Sequence, residues 1–215
     1  MIKSQDELAE LLAIYMRSKK MSVPEEPDTY TIVYLEGSNA DGKPNPDEFD
    51  KWNDRRIVIG RQDGNWKVFH NALATTEPGR FYTMQPMTPK GAARIAFGQY
   101  EAWRHGKHNG VQPALIQVRP ITVHRDMNKN GIRDVKDRIE TGLFNMNHHT
   151  TSRNFNGQLI GKFSAGCPVG YSYALHLQFL GLVSRDVRFL DNIHAFLYSS
   201  AFVAGDAFYR HFFGK

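Results

Sequence analysis

The stretch Ser164-Ala165-Gly166-Cys167 contains the single cysteine of this 215-residue chain, and His149 lies upstream of it. A thiol is a strong nucleophile only as the thiolate, which a neighbouring imidazole can generate by accepting the proton. Gly166 has no Cβ, so backbone N–H groups beside it can approach a developing oxyanion. The pattern indicates a Cys–His nucleophile. Its plain alternative is a small buried side chain, because free cysteine is often buried.

The bulk composition is that of an ordinary globular protein. Apolar residues make up 41% of the chain and charged residues 23%, which is enough apolar material for a sizeable core. A single cysteine excludes an internal disulfide. The net charge of +5 favours a polyanionic neighbour. Because the basic residues are spread along the chain without a nucleic-acid-binding motif, an anionic cell wall fits better than nucleic acid.

Residues 1–17 have helical amphipathic periodicity and open with a capping box, Ser4-Gln5-Asp6-Glu7, where a signal peptide would have an apolar segment. We therefore expect no Sec-type export. No run approaches about 18 consecutive apolar residues, so we also expect no membrane span. The helix and its linker occupy residues 1–27 as a satellite of one catalytic domain at 28–215.

Apolar periodicity predicts mainly β structure with a few helices, an α+β fold. Strands are expected over 30–35, 56–59, 66–69, 92–97 and 114–118, with another following a turn at 74–82. Residues 173–182 have the spacing of a helix. The segment 36–55 is too rich in turn-forming residues for regular structure. A loop is expected at 105–110, and the aromatic tail 194–213 resembles strand.

Three ordered motifs are similar to those of the L,D-transpeptidase family, cysteine enzymes that cross-link or trim bacterial murein. The run Thr-Glu-Pro-Gly-Arg-Phe at 76–81 resembles the family's Thr-Pro-x-Gly-x-Phe strand entry. His149 resembles its histidine at a strand end, and 160–167 its Ser-x-Gly-Cys segment. The similarity covers 66–170 and implies an L,D-transpeptidase-like β-sandwich. Glu36-Gly37 and Gly205-Asp206 resemble features of a branch found in bacteria and phages.

Two departures from the family pattern affect the site. Pro168 and Val169 follow the cysteine where the family has an Arg at the second position, and the family's His-Gly pair is replaced by His148-His149-Thr150. Alternation along a strand places the two imidazoles on opposite faces. We favour His149 as the base because it shares a face with polar neighbours. His148 is expected to pack on the other face and stays the alternative base.

The resemblance implies a thioester mechanism. Cys167 attacks the carbonyl of a diamino acid–D-amino acid bond, while His149 accepts the thiol proton and later returns it to the leaving amine. Backbone amides of Gly166 and Cys167 hold the oxyanion, and Ser164 or a nearby carbonyl orients the imidazole. An amine acceptor gives a cross-link and water gives cleavage. The candidate substrate-binding side chains are Arg80, Asn147, Lys162 and Arg153.

A further motif has the oxygen spacing of a calcium loop. Its candidate ligands are Asp126, Asn128, Asn130, Ile132, Asp134 and Asp137, with Gly131 at the sharp turn. The last ligand is Asp where the motif prefers the longer Glu, so a metal-free turn held by Asx hydrogen bonds is the alternative. We expect catalysis to require no cofactor and any bound calcium to be structural.

Three functions compete at this level. The first is a peptidoglycan cysteine peptidase or transpeptidase, for which the missing signal peptide favours a phage-type endolysin released through a holin or carried in a virion. The second is a zinc-dependent murein peptidase, which the adjacency of two histidines on a strand disfavours. The third is a non-catalytic wall-binding or virion structural module. The expected partners are peptidoglycan and virion components.

Overall fold

A computed structural model describes residues 1–214, which form eleven strands and five helices. The strands are β1 (Tyr30–Glu36), β2 (Asp54–Gln62), β3 (Asn65–Thr75), β4 (Ala92–Ile95), β5 (Gly98–His108), β6 (Gln112–Gln117), β7 (Ile121–Asp126), β8 (Arg138–Gly142), β9 (His149–Thr150), β10 (Val169–Gly170) and β11 (Tyr198–Ala204). The helices are α1 (Gln5–Ser18), α2 (Arg80–Met84), α3 (Tyr173–Val183), α4 (Val187–Asp191) and α5 (Gly205–Phe213). The prediction of a mainly β, α+β fold is confirmed.

Eight strands form one sheet in the order β6-β5-β11-β1-β2-β3-β10-β9. The two ends of this sheet meet at a bridge between Leu115 and His148, whose N–O distances are 2.8 and 3.2 Å. The sheet therefore curves until it nearly closes, whereas the family resemblance implies two facing layers. β4, β7 and β8 form a separate three-stranded sheet.

The main core fills the inside of the curved sheet, because alternate residues of each strand point inwards. Tyr34 and Phe202 stack there with ring centroids 5.1 Å apart, beside the fully buried Trp103. The indole Nε1 of Trp103 donates to the Met146 carbonyl oxygen at 2.7 Å. The core thereby holds the segment that leads into β9.

Helices α1 and α5 cover the outer face of the sheet. The Ser4 hydroxyl caps α1 by accepting from the Glu7 amide at 3.1 Å. Leu8 and Leu12 of this helix are fully buried in one hydrophobic cluster with Val33 of β1 and residues of β2 and β11. α1 therefore shares a continuous core with the sheet, which is how the predicted amphipathic helix buries its apolar face.

Three predicted elements differ from the structure. The strand expected after 74–82 is the short helix α2, and the tail expected as strand divides into β11 and α5. Most of the loop expected at 105–110 is the end of β5, and a turn at 109–111 joins it to β6. Asn109 and Gly110 of this turn have positive φ. Residues 105–108 are strand despite their polar sequence because β5 forms hydrogen bonds with both β11 and β6.

Candidate active site

Cys167 lies on a short loop that Ser164 and Gly166 shape. The Ser164 hydroxyl donates to the Cys167 carbonyl oxygen at 2.9 Å and accepts from the Gly166 amide at 3.0 Å. Gly166 has a φ of +118°, and a Cβ there would lie 2.1 Å from the Ala93 carbonyl oxygen of β4. Only glycine fits this position. The Ser-x-Gly part of the motif therefore builds the loop that presents the thiol.

His149 comes from the adjacent strand. β9 and β10 pair in parallel with Val169 opposite His149, and the His149 amide donates to the Pro168 carbonyl oxygen at 3.2 Å. Pro168 directly follows Cys167 in the chain. This pairing places the imidazole and the thiol on the walls of one cavity.

The first sequence motif lies against the same loop. The Gly79 amide donates to the Ser164 carbonyl oxygen at 2.9 Å, and Pro78 forms a β-bridge with Ala165. A Cβ on Gly79 would lie 2.3 Å from the Gly161 carbonyl oxygen, so the two segments are in close backbone contact. The three motifs recognised in the sequence therefore meet around Cys167.

The cavity lined by Cys167 and His149 has a volume of about 570 Å³. Its charged lining residues are Lys162 and Arg125, and no Asp or Glu of the described chain lines it. The Nε of Arg125 donates to Glu140 at 2.8 Å, whereas the Lys162 ammonium lies 4.3 Å from the Phe81 ring centroid. Larger apolar side chains complete the walls, namely Tyr82, Met87, Leu143, Phe144, Met146 and Phe163. The cavity is thus apolar with a positive edge.

Both reactive groups are uncharged in the folded protein. Burial raises the pKa of the Cys167 thiol to about 11, and a hydrogen bond with the backbone of Asn147 has a smaller, opposite effect. Burial, together with repulsion from His108, lowers the pKa of His149 to about 3. The thiol donates to the Asn145 carbonyl oxygen at 3.5 Å. At neutral pH the cavity therefore holds a thiol and a neutral imidazole, so the sulfur can act as a nucleophile only if the thiol proton is transferred to a base.

The tautomer of His149 follows from its backbone contact. Its Nδ1 lies 3.2 Å from the Thr150 carbonyl oxygen. A carbonyl only accepts, so Nδ1 carries the proton and Nε2 keeps the lone pair. The hydroxyl of Ser164 bonds within the Cys167 loop instead. Ser164 therefore does not orient the imidazole. The Thr150 carbonyl oxygen contacts it instead, as in the alternative expectation of a nearby carbonyl.

The expected oxyanion donors need a correction. The Gly166 amide donates to the Ser164 hydroxyl at 3.0 Å, so it is not free to bind an oxyanion. The Cys167 amide makes no hydrogen bond to any residue in 1–214. Of the two predicted oxyanion donors, the Cys167 amide is therefore the one without a hydrogen-bond partner in 1–214. The Gly166 amide is bonded to the Ser164 hydroxyl within the loop.

His148 lies on the opposite side of the strand from the cavity. It is fully buried, with ring centroids 4.5 Å from Trp103 and 5.2 Å from Tyr34. Neither ring nitrogen has a hydrogen-bond partner within the described chain. Burial, with repulsion from Arg56, lowers the pKa of His148 well below its ordinary value. His148 therefore packs among aromatic rings inside the sheet and does not reach the thiol.

His108 is a cavity residue that the sequence analysis missed, because its polar neighbours indicated a solvated loop. It ends β5 and lines the cavity. Its ring stacks on that of His149, with centroids 3.9 Å apart and planes 4° apart. Had residues 98–108 been predicted as a strand paired with β6, His108 would have been placed at the end of that strand, beside the cavity.

The four predicted substrate-binding side chains divide into two pairs. Lys162 lines the cavity, and Asn147 lies beside it in contact with His108. Arg80 and Arg153 do not line the cavity. The Arg80 guanidinium lies 4.8 Å from the centroid of the Phe49 ring, and that of Arg153 lies 4.9 Å from the Tyr173 ring. The prediction of substrate contact at the cavity is wrong for these two arginines, because both stack on aromatic rings elsewhere.

Five ionisable residues form a largely buried cluster behind the Cys167 loop, which we call the ion-pair cluster: Glu36, Asp54, Glu77, Arg94 and Arg133. Four of them make its ion pairs, whereas burial and repulsion from Glu36 raise the pKa of Asp54 to about 8. Both amino groups of Arg133 bond to Glu36, and Arg94 bonds to Glu77. Burial tends to raise the pKa of Glu36, but Arg133 and Arg94 outweigh it and lower that pKa. Asp54 accepts from two backbone amides at 2.9 and 2.6 Å. The cluster joins β1, β2, β4 and the loop after β7 to the first motif.

The predicted calcium loop, 126–137, contributes Arg133 to that cluster. Asp126 is fully buried and accepts from the Gly131 amide at 2.8 Å. The side-chain amides of Asn128 and Asn130 both donate to Asp134 Oδ2, at 3.0 and 2.8 Å. Three candidate ligand positions therefore converge on one point. The side-chain oxygens of Asn128 and Asn130 accept from the backbone amides of Asn130 and Ile132, at 3.1 and 3.0 Å. The loop therefore has the hydrogen bonds of the Asx-stabilised turn given as the alternative, and calcium binding stays a prediction.

Within residues 1–214, one group of acidic, His or Cys side chains is close enough to share an ion, namely Glu36, Asp47 and Glu77. Glu36 and Glu77 already bond to arginines. A zinc site built from His124, Asp126, His148 and His149 would need such a group, and these four residues form none in the described chain.

No helix in the described part of the chain is long and apolar enough to cross a membrane. Comparison with known proteins finds no matching family model, no matching curated protein and no matching solved structure. The geometry around Cys167 therefore carries the functional conclusion.

Proposed function

We propose that this protein is a cysteine peptidase or transpeptidase of the L,D-transpeptidase type, acting on peptidoglycan stem peptides through a thioester on Cys167. The observation that carries the proposal is the cavity shared by Cys167 and His149: His149 belongs to β9, and Cys167 lies on the loop that leads into the neighbouring parallel strand β10. The contact of 76–81 with the Cys167 loop supports the family assignment, and an L,D-transpeptidase-like catalytic domain is part of the proposal.

In the proposed reaction the Cys167 thiol gives its proton to Nε2 of His149 as the sulfur attacks the scissile carbonyl carbon. The Cys167 amide donates to the oxygen that becomes negative. The C–N bond then breaks, the departing amine takes the proton from His149, and a thioester remains. An amine or water next attacks the thioester, giving a cross-link or a cleaved peptide and restoring the thiol.

The character of the cavity suits this class of substrate. Its apolar walls accommodate aliphatic parts of a peptide, and Lys162 offers a cation to a carboxylate without a competing acidic residue in the described lining. Peptidoglycan stem peptides combine both features. The net charge of +5 also favours an anionic wall. A phage-type endolysin, delivered through a holin or in a virion, remains our proposal for the biological setting.

Isolated sacculi provide the test. We expect the wild-type protein to release soluble muropeptides or to change their cross-linking, and Cys167→Ala to bind sacculi without turnover. Intact-mass analysis is expected to find a covalent carbapenem adduct in the wild type and none in Cys167→Ala. Chelator should leave turnover unchanged, which separates this reaction from that of a zinc peptidase. Unchanged sacculi together with a missing adduct would falsify the proposal.

A non-catalytic wall-binding or virion module is the second candidate, and the protonated thiol favours it. Burial raises the pKa of Cys167 to about 11, and the Gly166 amide is already bonded. This alternative expects equal sacculus binding by the wild type, Cys167→Ala and His149→Ala, with no turnover in any of them. Sedimentation with sacculi, followed by muropeptide chromatography, separates the two candidates.

A further inference from the structure

The imidazole of His108 is held in place by a short chain of hydrogen bonds. The backbone amide of Gln117 donates to the Asn147 Oδ1 at 2.9 Å. This contact requires the other end of the Asn147 amide to be its NH₂ group, which lies 3.1 Å from His108 Nδ1. Asn147 therefore donates to His108, and Nδ1 of His108 accepts. An imidazole that accepts at Nδ1 is neutral and carries its proton at Nε2. The side-chain nitrogen of Asn109 lies 3.1 Å from that Nε2, so this tautomer requires the Asn109 amide to turn its oxygen towards the ring.

The two stacked rings are therefore opposite tautomers. His149 has its proton on Nδ1, directed at the Thr150 carbonyl oxygen, whereas His108 has its proton on Nε2. The rings are parallel at 3.9 Å, so one face of His149 is covered entirely by a neutral aromatic ring. This contact restricts rotation of the His149 side chain.

We propose that His108 is a positioning residue for His149: its ring, anchored by Asn147, holds the imidazole of His149 in the orientation that accepts the Cys167 proton. This inference rests on the proposed Cys167–His149 chemistry. Its local support is that both rings line the same cavity as the thiol. His108 does not itself exchange a proton with the thiol, so its loss should slow the reaction without abolishing it.

Alkylation of Cys167 by iodoacetamide tests the inference without a peptidoglycan substrate. The sulfur displaces iodide from carbon, and the thiol proton leaves through His149. Rates are measured by intact mass at neutral pH for the wild type, His108→Ala, His108→Phe and His149→Ala. His105→Ala is the matched control, because His105 lies on the same strand but packs against Phe189 and Tyr198 instead of lining the cavity.

We expect His108→Ala to slow alkylation about tenfold, because a loosened base loses its alignment with the thiol. His108→Phe keeps the stacked ring and should recover most of that loss, whereas His105→Ala should match the wild type. On sacculi, the His108→Ala defect should appear in kcat with KM unchanged. Thermal unfolding of each variant shows whether a lower rate reflects a disturbed fold.

The outcomes separate the two proposals. A rate for His108→Ala equal to the wild type, with His149→Ala slow, overturns the positioning role and leaves the proposed function intact. A His108→Phe rate as low as that of His108→Ala overturns the stacking argument. If His149→Ala alkylates as fast as the wild type, the imidazole does not assist the thiol, and the positioning role and the proposed chemistry both fail.

Discussion

The cavity around Cys167 and the ion-pair cluster behind its loop both contain buried titratable groups, but the thiol and imidazoles of the cavity are neutral and most groups of the cluster are charged. The cavity holds a thiol and two imidazoles whose pKa values burial shifts towards the neutral forms. The cluster holds carboxylates and guanidinium groups in direct contact, with Arg94 and Glu36 almost completely buried.

The contrast separates a cavity whose thiol and imidazoles are neutral from a cluster in which four of the five residues are held in ion pairs. Neutral groups can exchange a proton without first breaking a strong ion pair. Charged pairs resist separation, because one partner left alone in a buried site is costly. The cluster therefore holds the strands and the first motif around the Cys167 loop, while the cavity keeps its thiol and imidazole available. The following predictions test this division.

The largest expected effect is on turnover. His149→Ala should lower kcat on sacculi about a thousandfold, since general-base catalysis contributes roughly 10²–10⁴-fold. His148→Leu should retain activity, because it replaces a ring whose nitrogens have no partner in the described chain with an apolar side chain. Muropeptide release and urea unfolding are measured for both variants. Loss of turnover in a folded His148→Leu protein, with His149→Ala active, would reverse the assignment.

The cluster should dominate stability. Arg94→Met leaves the Glu77 carboxylate without its guanidinium partner in a buried site, so we expect a loss of about 3–5 kcal/mol in the free energy of unfolding. The matched control is Arg119→Met, whose pair with Glu101 is about 60% exposed on each side. That variant should change stability by less than about 1 kcal/mol. Equal urea midpoints for the two variants would contradict the structural role of the cluster.

Lowering the pH has opposite effects on the stability that the buried histidines and the buried carboxyl of Asp54 contribute. Burial lowers the pKa of His149 and of His70 to about 3, and that of His176 to about 2. Below pH about 6.5 the unfolded chain binds protons at these sites that the folded chain does not. The free energy of unfolding therefore decreases as the pH is lowered. Burial and repulsion from Glu36 raise the pKa of Asp54 to about 8, which acts in the opposite direction.

Burial also lowers the pKa of His148, and it raises the pKa of Asp47 to about 6. The three histidines above and His148 together outweigh the two carboxyls between pH about 6.5 and 4. A net difference of about two protons lowers the free energy of unfolding by up to about 3 kcal/mol per pH unit. Calorimetry at a series of pH values measures this slope. His70→Gln should make the slope shallower, because it removes one of these histidines. A melting temperature that rises on acidification from pH 6.5 would show that the two carboxyls prevail.

Calcium should have the smallest effect. The loop at 126–137 supplies Arg133 to the ion-pair cluster, so an ion bound to the loop would stabilise the cluster and not the cavity. We expect calcium to add about 1 kcal/mol, or about 2–4 °C in melting temperature, and Asp134→Ala to remove the gain. Asp41→Ala, on an exposed ion pair outside the loop, is the control. An equal response of both variants would argue against the loop as the binding site.

Several features of the site were predictable because they depend on local sequence. The order of the three motifs, the need for glycine at 166 and the amphipathic helix α1 all follow from short patterns. Two arginines were misplaced, because a positive charge near a motif does not reveal the aromatic ring on which it stacks. The oxyanion donors were half wrong, because the Ser164 hydroxyl takes up one amide through a contact within its own loop.

The sequence by itself determined which reactive groups exist and in what order, since residue identity and local periodicity suffice for a mainly β fold with a cysteine loop. Only the tertiary structure decided which of two adjacent imidazoles shares the cavity with the thiol, that His108 stacks on it, and that both reactive groups are neutral. These properties depend on strand register and on removal of water, both of which arise from contacts between segments far apart in the chain.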